Sequence, residues 1–465
     1  MSKIVMSVTK DETRMALLEN GRLAEYVVER DAGAHLVGSI YKGKVSHLLQ
    51  GIQAAFIDIG LSQNAFLYQG GKPLTEGETV LVQITKDVRG NKGPTATRNI
   101  TLPGKFVVLL LNAKYVGLSR KINDLKERKR LEELCKNLCP KDLGIVVRTS
   151  AIGVAEELLR QDIDELVEQY RILQARNKVA KAPALLHREL DLAIRVVRDY
   201  ISMNIDEIIV DDEAAFERLK EFLANLPVQP PMLKLHKGEE IFAYYQLQEQ
   251  VLAITDRQVP LPSGGTLVID YTEAMTVIDV NSGKFNSSGS MEDTILATNR
   301  EAAVEIAHQL RLRDIGGIIV VDFIDMRKDA QKLEIMSILQ TALEGDRMRP
   351  KVQDITVLNL VEITRKKSRQ NLSAVLYTDC PVCNGIGIIR SKDTLVLEIK
   401  RKLRHALMNK GGKNILLNVN PWLEECFKGH LLKDWEKELG CTLNVEFKTN
   451  LHPETYQILD NNVDN

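Results

Sequence analysis

Three side chains carry the strongest chemical suggestion in this 465-residue sequence: Asp279, Asn281 and Asp322. Asp279 and Asn281 lie two apart in the apolar run TVIDVN, and residues two apart on an extended strand face the same side. Asp322 closes a second apolar run, GGIIVVD, where a buried strand emerges at the sheet edge. Two carboxylates from neighbouring strand ends can hold a hard divalent cation such as magnesium, leaving positions for water and a phosphate oxygen. Such an ion polarises a phosphodiester and lowers the pKa of a bound water. The Asn281 amide carries no charge but can orient a carboxylate or an attacking water. The same acids could instead be turn formers or partners of nearby arginines, and their spacing leaves both readings open. Asp325, three residues past Asp322, would face the other way in a strand and is set aside.

A second constellation is CPVCNGIG, in which Cys380 and Cys383 have the spacing of a zinc knuckle. A structural zinc site wants four ligands, and the sequence has no second C-x-x-C. Cys135 and Cys139 are spaced for one face of a helix, and Cys426 and Cys441 are isolated. The simplest completion is a zinc ion shared between two protomers, each giving two thiolates; a redox pair and two buried thiols are the alternatives. Phe56 and Phe66, with Lys92 in a glycine-flanked turn, suit base stacking and phosphate contact on a small barrel, although each Phe alone also fits a core. Arg148 and Thr149 follow the apolar run IVV; a guanidinium beside a hydroxyl can grip a terminal phosphate, and an exposed Arg with a turn Thr is the plain alternative. The basic run from Arg365 to Arg369 is a solvated face or, if it borders the acids, a holder of a polyanion backbone.

The elements that must position these residues follow from periodicity and turn signals. Residues 3–8 and 13–18 read as short strands. Between His35 and Asn99, GSIYKGKVSHLL, AAFIDIG, NAFLY and GETVLVQITK alternate with glycine turns, as in a small closed barrel of the OB type. A charged helix is expected near 118–138, a long one from Ala155 to Lys181, and another from Leu185 to Tyr200. TLVIDYTEAMTVIDVN and GGIIVVDFIDM read as two strands flanking a helix from Glu292 to Arg311. A helix from Asp329 to Glu344 and a strand ITVLNLVEIT follow, and the last ~70 residues look like a small α/β appendage.

The composition is that of a soluble globular chain, 44% hydrophobic and 27% charged, long enough for about three domains. A formal net charge of −1 gives no global basic field, so any polyanion must be met by local patches. No stretch approaches the ~20 apolar residues of a membrane helix, and the N-terminus lacks a signal-peptide pattern. Six cysteines are too few for a disulfide scaffold. These features predict a cytoplasmic protein with reduced thiols.

AMTVIDVNSGKF, TNREAAVEIAHQLRLRDIGGIIVVDFIDM and CPVCNGIG, in that order and at that spacing, resemble the ribonuclease E/G family. GSIYKGKV, AAFIDIG and NAFL resemble its S1-type RNA-binding domain, and VVRTSAIG its phosphate sensor; the resemblance covers nearly the whole chain. It implies an α/β multidomain fold. An RNase H-like domain (1–34 plus 191–256) is split by an S1-type OB-fold barrel (35–99) and a 5′-phosphate sensor region (100–190). A DNase I-like α/β catalytic domain (257–377), a zinc-link (378–392) and a small C-terminal domain (393–465) follow.

By the same resemblance Asp279 and Asp322 are magnesium ligands, with Asn281 hydrogen-bonded in the catalytic site. Cys380 and Cys383 are zinc ligands joining protomers into a homodimer or homotetramer. Arg148, Thr149, Gly104 and Val108 form a 5′-monophosphate pocket, and Phe56, Phe66, Lys92, Arg120 and Arg349 contact RNA. The implied function is a magnesium-dependent endoribonuclease. It would hydrolyse single-stranded RNA to 5′-phosphate and 3′-hydroxyl ends, favour 5′-monophosphorylated substrates, and serve ribosomal RNA processing and mRNA decay. Some relatives carry a long disordered tail that recruits other RNA-decay enzymes; with no Arg- or Pro-rich extension here, the sequence falls on the family's ribonuclease G side, and degradosome scaffolding is not expected. The rival readings are a non-catalytic RNA-binding protein with a structural metal site and a DNA-directed phosphodiesterase.

Overall fold

The computed structural model describes residues 1–30, 36–68, 70, 73–88, 93–189, 191–200, 205–224, 230–283, 291–366, 372–378, 380–410 and 414–460. They fall into two compact units, Met1–Val375 and Leu376–Asn465. The fold is mixed α/β throughout.

The first sheet has the strand order Met232–Leu235, Glu207–Val210, Ser2–Val8, Glu12–Glu19, Arg22–Arg30. The last strand goes beyond the two predicted at the N-terminus. Asn20 and Gly21 both take left-handed φ, 53° and 82°, as a tight two-residue hairpin turn requires. Because this sheet joins the start of the chain to residues 207–235, the intervening chain is an insertion. Helices Leu192–Tyr200 and Glu213–Ala224 cover the sheet through Val196, Val197, Ala215 and Leu219.

The first part of the insertion is a five-stranded closed barrel. Ile40–Leu49, Ala54–Asp58, Ala65–Tyr68, Thr95–Thr97 and Thr79–Lys86 pair in that order, and Thr79–Lys86 returns to pair with Ile40–Leu49. Ala184–His187 adds to Ile40–Leu49, so Leu185–His187 are strand and not the start of a helix; the helix begins at Leu192. The charged residues Arg188, Glu189 and Asp191 interrupt what apolar periodicity alone reads as one element.

Next comes a four-stranded sheet, ordered Val116–Leu118, Gly144–Val147, Val107–Leu110, Thr101–Pro103, with helices Leu125–Leu138 and Glu156–Val179 packed on it.

The six-stranded sheet that carries the acids has the order Gln258–Pro260, Thr266–Tyr271, Met275–Asn281, Gly317–Asp322, Leu360–Arg365, Lys351–Ile355. TLVIDYTEAMTVIDVN is therefore a hairpin and not one strand. ITVLNLVEIT is also split, by a turn in which Asn359 takes φ 62°. Met275–Asn281 runs parallel to Gly317–Asp322, and helix Met291–Leu312 makes the crossover that a parallel pair needs. That helix and Asp329–Leu343 bury one sheet face: Ile278, Val280, Ile319, Val321 and Ile363 pack on Ala302, Ala303, Ile306, Ile335 and Leu339.

In the second unit, strands ordered Thr442–Phe447, Asn414–Val419, Tyr456–Asp460 carry helices Lys392–Lys410 and Leu431–Leu439. Its core gathers Leu395, Ile399, Leu403, Leu417, Val419 and Trp435.

Candidate active site

Period-two alternation places the acids. On Met275–Asn281, Ile278 and Val280 point into the core, so Asp279 and Asn281 point to the open face; on Gly317–Asp322, Val321 is buried and Asp322 exposed. The parallel register pairs Asp279 directly with Asp322. Neighbouring strands lie about 4.8 Å apart, so the two carboxylates sit side by side.

Asn281 Nδ2 donates to Asp279 Oδ2 at 2.8 Å. Gly283 takes φ 61°, and a Cβ there would meet the Gly264 carbonyl oxygen at 2.3 Å, so the turn after Asn281 closes against Gly264–Gly265 only with glycine. Among the described residues no Lys or Arg pairs with Asp279 or Asp322. Burial pushes the Asp322 carboxyl up, and the charges of Asp279 and Asp325 add to that. Asp325, set aside from the sequence, thus belongs to the same field: the strand ends at Asp322, and the coil after it carries Asp325 back.

Sequence reasoning missed what holds that coil. Asn299, fully buried on helix Met291–Leu312, donates Nδ2 to the Ile324 carbonyl at 2.8 Å and accepts from the Ile324 N–H at 3.1 Å. A polar residue on an otherwise apolar helix face was the available signal.

Arg365, the first residue of the basic run, does not border the acids. Arg365 pairs with Gly317, at the strand end opposite Asp322, whose partner is Leu360. Its guanidinium is buried against Asp346 and Asp314, at 2.6 and 2.7 Å, and donates to the Ile315 carbonyl. Residues 367–369 lie outside the described residues, as does Lys92.

On the barrel, Phe56 and Phe66 are cross-strand partners with ring centroids 5.8 Å apart. They alternate with the core residues Ala55, Ile57, Ala65 and Leu67, so they belong to the outer face. Tyr68, 65% exposed, extends that face 4.9 Å from Phe66 and was not singled out from sequence.

In the four-stranded region, the Arg148 guanidinium donates to the Gly104 carbonyl and to Asp199 Oδ1, each at 2.9 Å. Thr149 Oγ1 lies 3.1 Å from Ser119 Oγ, which places the exposed Arg120 next to this turn. The Asp162 carboxylate accepts from the backbone N–H groups of Lys105, Phe106 and Val107. A Cβ at Gly104 would meet Asp162 Oδ2 at 2.6 Å, which explains the glycine. Val108 lies on the strand between Pro103 and Val146. Arg349, exposed with φ 51°, approaches Lys121, whose ammonium is held below its usual range by burial and then by Arg349 and Arg347. Arg148, Thr149 and Gly104 therefore converge on one turn, and Arg120 and Arg349 flank it.

In the second unit, backbone N–H groups of Cys383 and Val382 lower the Cys380 thiol, and Gly387 N donates to Cys383 Sγ at 3.2 Å. The bonds to Cys380 favour its thiolate, the form that binds zinc. Among the described residues no group of three or more His, Cys, Asp or Glu side chains could hold a metal ion.

Residues 101–368 match the Ribonuclease E/G family, and residues 379–461 match the RNase E/G thioredoxin-like domain. The chain is 36% identical to Ribonuclease G of Salmonella typhimurium, covering 98% of this chain and 99% of that protein. It is 35% identical to Ribonuclease G of Escherichia coli K12 over the same shares. With Ribonuclease E of Nostoc it shares 39% identity over 80% of this chain and 57% of that protein. No helix among the described residues is long and apolar enough to cross a membrane.

Proposed function

Because this chain belongs to the ribonuclease E/G family, we propose that it is a magnesium-dependent endoribonuclease that hydrolyses single-stranded RNA to 5′-phosphate and 3′-hydroxyl ends. The observation that carries this reading is the direct pairing of Asp279 with Asp322 on an open sheet face, with no cation from the described residues between them. Like charges side by side are costly unless something neutralises them.

A donor set of two carboxylates fits magnesium, which keeps several waters and takes one or two protein carboxylates plus substrate phosphate. Bound there, the ion would polarise the phosphodiester and offset the charge that develops on it. Asp279 and Asp322 hold the ion. Asn281, donating to Asp279, leaves that carboxylate one preferred orientation. Hydrolysis forms a water O–P bond, breaks the P–O3′ bond and delivers one proton of that water to the 3′ oxygen. Asn299 fixes the coil after Asp322, so the pair keeps its spacing while the bond is broken.

The RNase H-like domain (1–34 plus 191–256), S1-type barrel (35–99), 5′-phosphate sensor region (100–190), DNase I-like catalytic domain (257–377), zinc-link (378–392) and small C-terminal domain (393–465) belong to the same proposal. The outer barrel face of Phe56, Phe66 and Tyr68 stacks bases and holds the strand. Arg148, Thr149, Gly104 and Val108 bind a 5′-monophosphate and so favour substrates carrying one, and Arg120 and Arg349 contact the RNA. Cys380 and Cys383 share a zinc ion with a second protomer. Ribosomal RNA processing and mRNA decay in the cytoplasm are the settings we propose for it, carried over from the family resemblance.

The test is cleavage of a defined 5′-monophosphorylated RNA with magnesium or with EDTA, followed by mapping of product ends. Magnesium-dependent products with 5′-phosphate and 3′-hydroxyl termini are expected. Cleavage that persists in EDTA, or 2′,3′-cyclic phosphate ends, contradicts the reading.

A further inference from the structure

Three consecutive residues at the end of helix Leu192–Tyr200 gather groups far apart in sequence. Arg198 donates Nη1 to Glu189 at 2.8 Å, with both side chains less than 10% exposed. Asp199 accepts from Arg148 and, at 3.2 Å, from Arg198 Nε. Tyr200 lies under the Arg347 guanidinium, 3.7 Å from the ring centroid, and its hydroxyl accepts from Arg347 Nη2. The helix thus reaches the Arg148 turn on one side and the loop that carries Arg347 and Arg349 on the other. We propose that Asp199 is a positioning residue that presets the Arg148 guanidinium for a 5′-terminal monophosphate and so sets the preference for that end over a 5′-hydroxyl.

This inference rests on the 5′-phosphate reading of Arg148 and Thr149 given above. A guanidinium presents five N–H donors in a rigid fork. Two are committed here, one to the Gly104 carbonyl and one to Asp199, and two bonds fix the plane of the fork. The remaining donors stay on a side chain that is 23% exposed, beside the Thr149 and Ser119 hydroxyls. A free arginine must give up its rotamer freedom when it grips a phosphate, whereas one already held does not. Arg198 gives Asp199 a second cationic partner and is itself balanced by Glu189, so the carboxylate stays ionised in a half-buried place. Burial alone would push the Asp199 carboxyl up; Arg198 and Arg148 outweigh it and hold it below its ordinary range. Asp162 acts on the other partner of Arg148, fixing the 104–107 backbone through three amides.

The experiment compares kcat and KM for 5′-monophosphate and 5′-hydroxyl forms of one RNA, using wild type, Asp199→Ala and Asp199→Asn, with thermal unfolding run alongside. Alanine removes both charge and acceptor; asparagine keeps an acceptor oxygen. In Asp199→Ala the ratio of kcat/KM between the two ends is expected to fall about tenfold, through KM of the monophosphate form. In Asp199→Asn at least half of the wild-type ratio should return. An unchanged ratio in Asp199→Ala, or an equal loss on both RNAs with a lowered melting temperature, overturns the proposal. A wild-type ratio of one overturns the 5′-phosphate reading itself, and this proposal with it.

Discussion

The two ends of the six-stranded sheet treat the same kind of side chain in opposite ways. At the end where Gly317 pairs with Arg365, the carboxylates of Asp314 and Asp346 meet a buried guanidinium at 2.7 and 2.6 Å. At the other end, Asp279 and Asp322 stand side by side with Asp325 close by, and among the described residues no Lys or Arg pairs with either strand acid. The same strand, Gly317–Asp322, starts at one of these ends and finishes at the other. A chain that supplies a cation where it needs a fastener leaves one out where charge must be met by something from outside. On the function proposed above, the difference separates acids that hold the fold from acids kept for chemistry.

The comparison can be broken at either end. Asp279→Asn or Asp322→Asn is expected to lower RNA cleavage about 10³-fold, since a cation's charge stabilisation is several kcal/mol, while leaving RNA binding measurable and the melting temperature equal or higher. At the opposite end the pattern reverses. Asp346→Ala removes the more deeply buried of the two carboxylates that neutralise Arg365, leaving Asp314 alone, and should cost up to roughly 3–5 kcal/mol in denaturant unfolding, with cleavage per folded molecule retained. Stability loss from the Asp322 change, or activity loss without instability from the Asp346 change, would erase the distinction.

Smaller effects sharpen it elsewhere. Cys380→Ser with Cys383→Ser should abolish bound zinc and halve the mass seen by light scattering; an unchanged mass removes the shared-zinc proposal. Phe66→Ala should weaken single-stranded RNA binding roughly tenfold, as loss of one stacked base predicts, and lower kcat much less. The smallest change concerns a fastener acid. Arg130 hydrogen-bonds Glu127 and holds its carboxyl down at about 2, against burial. The stability it contributes is therefore present above the ordinary carboxylate range and is lost as pH falls from about 4.5 toward 2. Glu127→Gln should flatten the unfolding midpoint over that window and leave it little changed at pH 7.

Much of the site is legible in the sequence because strand periodicity is rigid. Asp279 and Asn281 alternate with valine and isoleucine, and Asp322 ends an apolar run, so their shared face follows from pleating alone. The Cys380 and Cys383 pair is visible through its spacing, and the outward face of Phe56 and Phe66 follows from their alternation with Ala55, Ile57, Ala65 and Leu67. What escapes is whatever depends on turns and long-range register. Asn20–Gly21 adds a strand, Asn359 folds one expected strand into two, and Leu185–His187 joins the barrel as a strand. The basic run beginning at Arg365 is close to the acids in sequence terms, yet antiparallel pairing carries Arg365 to the far end of the sheet. Asn299, Asp199 and Tyr68 look unremarkable in sequence, since each acts through a partner that only the fold supplies.

The central claim is that one divalent ion is held between residues 279 and 322. Manganese, a paramagnetic stand-in for magnesium, can be counted by electron paramagnetic resonance on wild type and on the Asp279→Asn, Asp322→Asn double variant. The account predicts that wild type binds one manganese ion more per chain than the variant. Superimposable binding curves for the two proteins would contradict it.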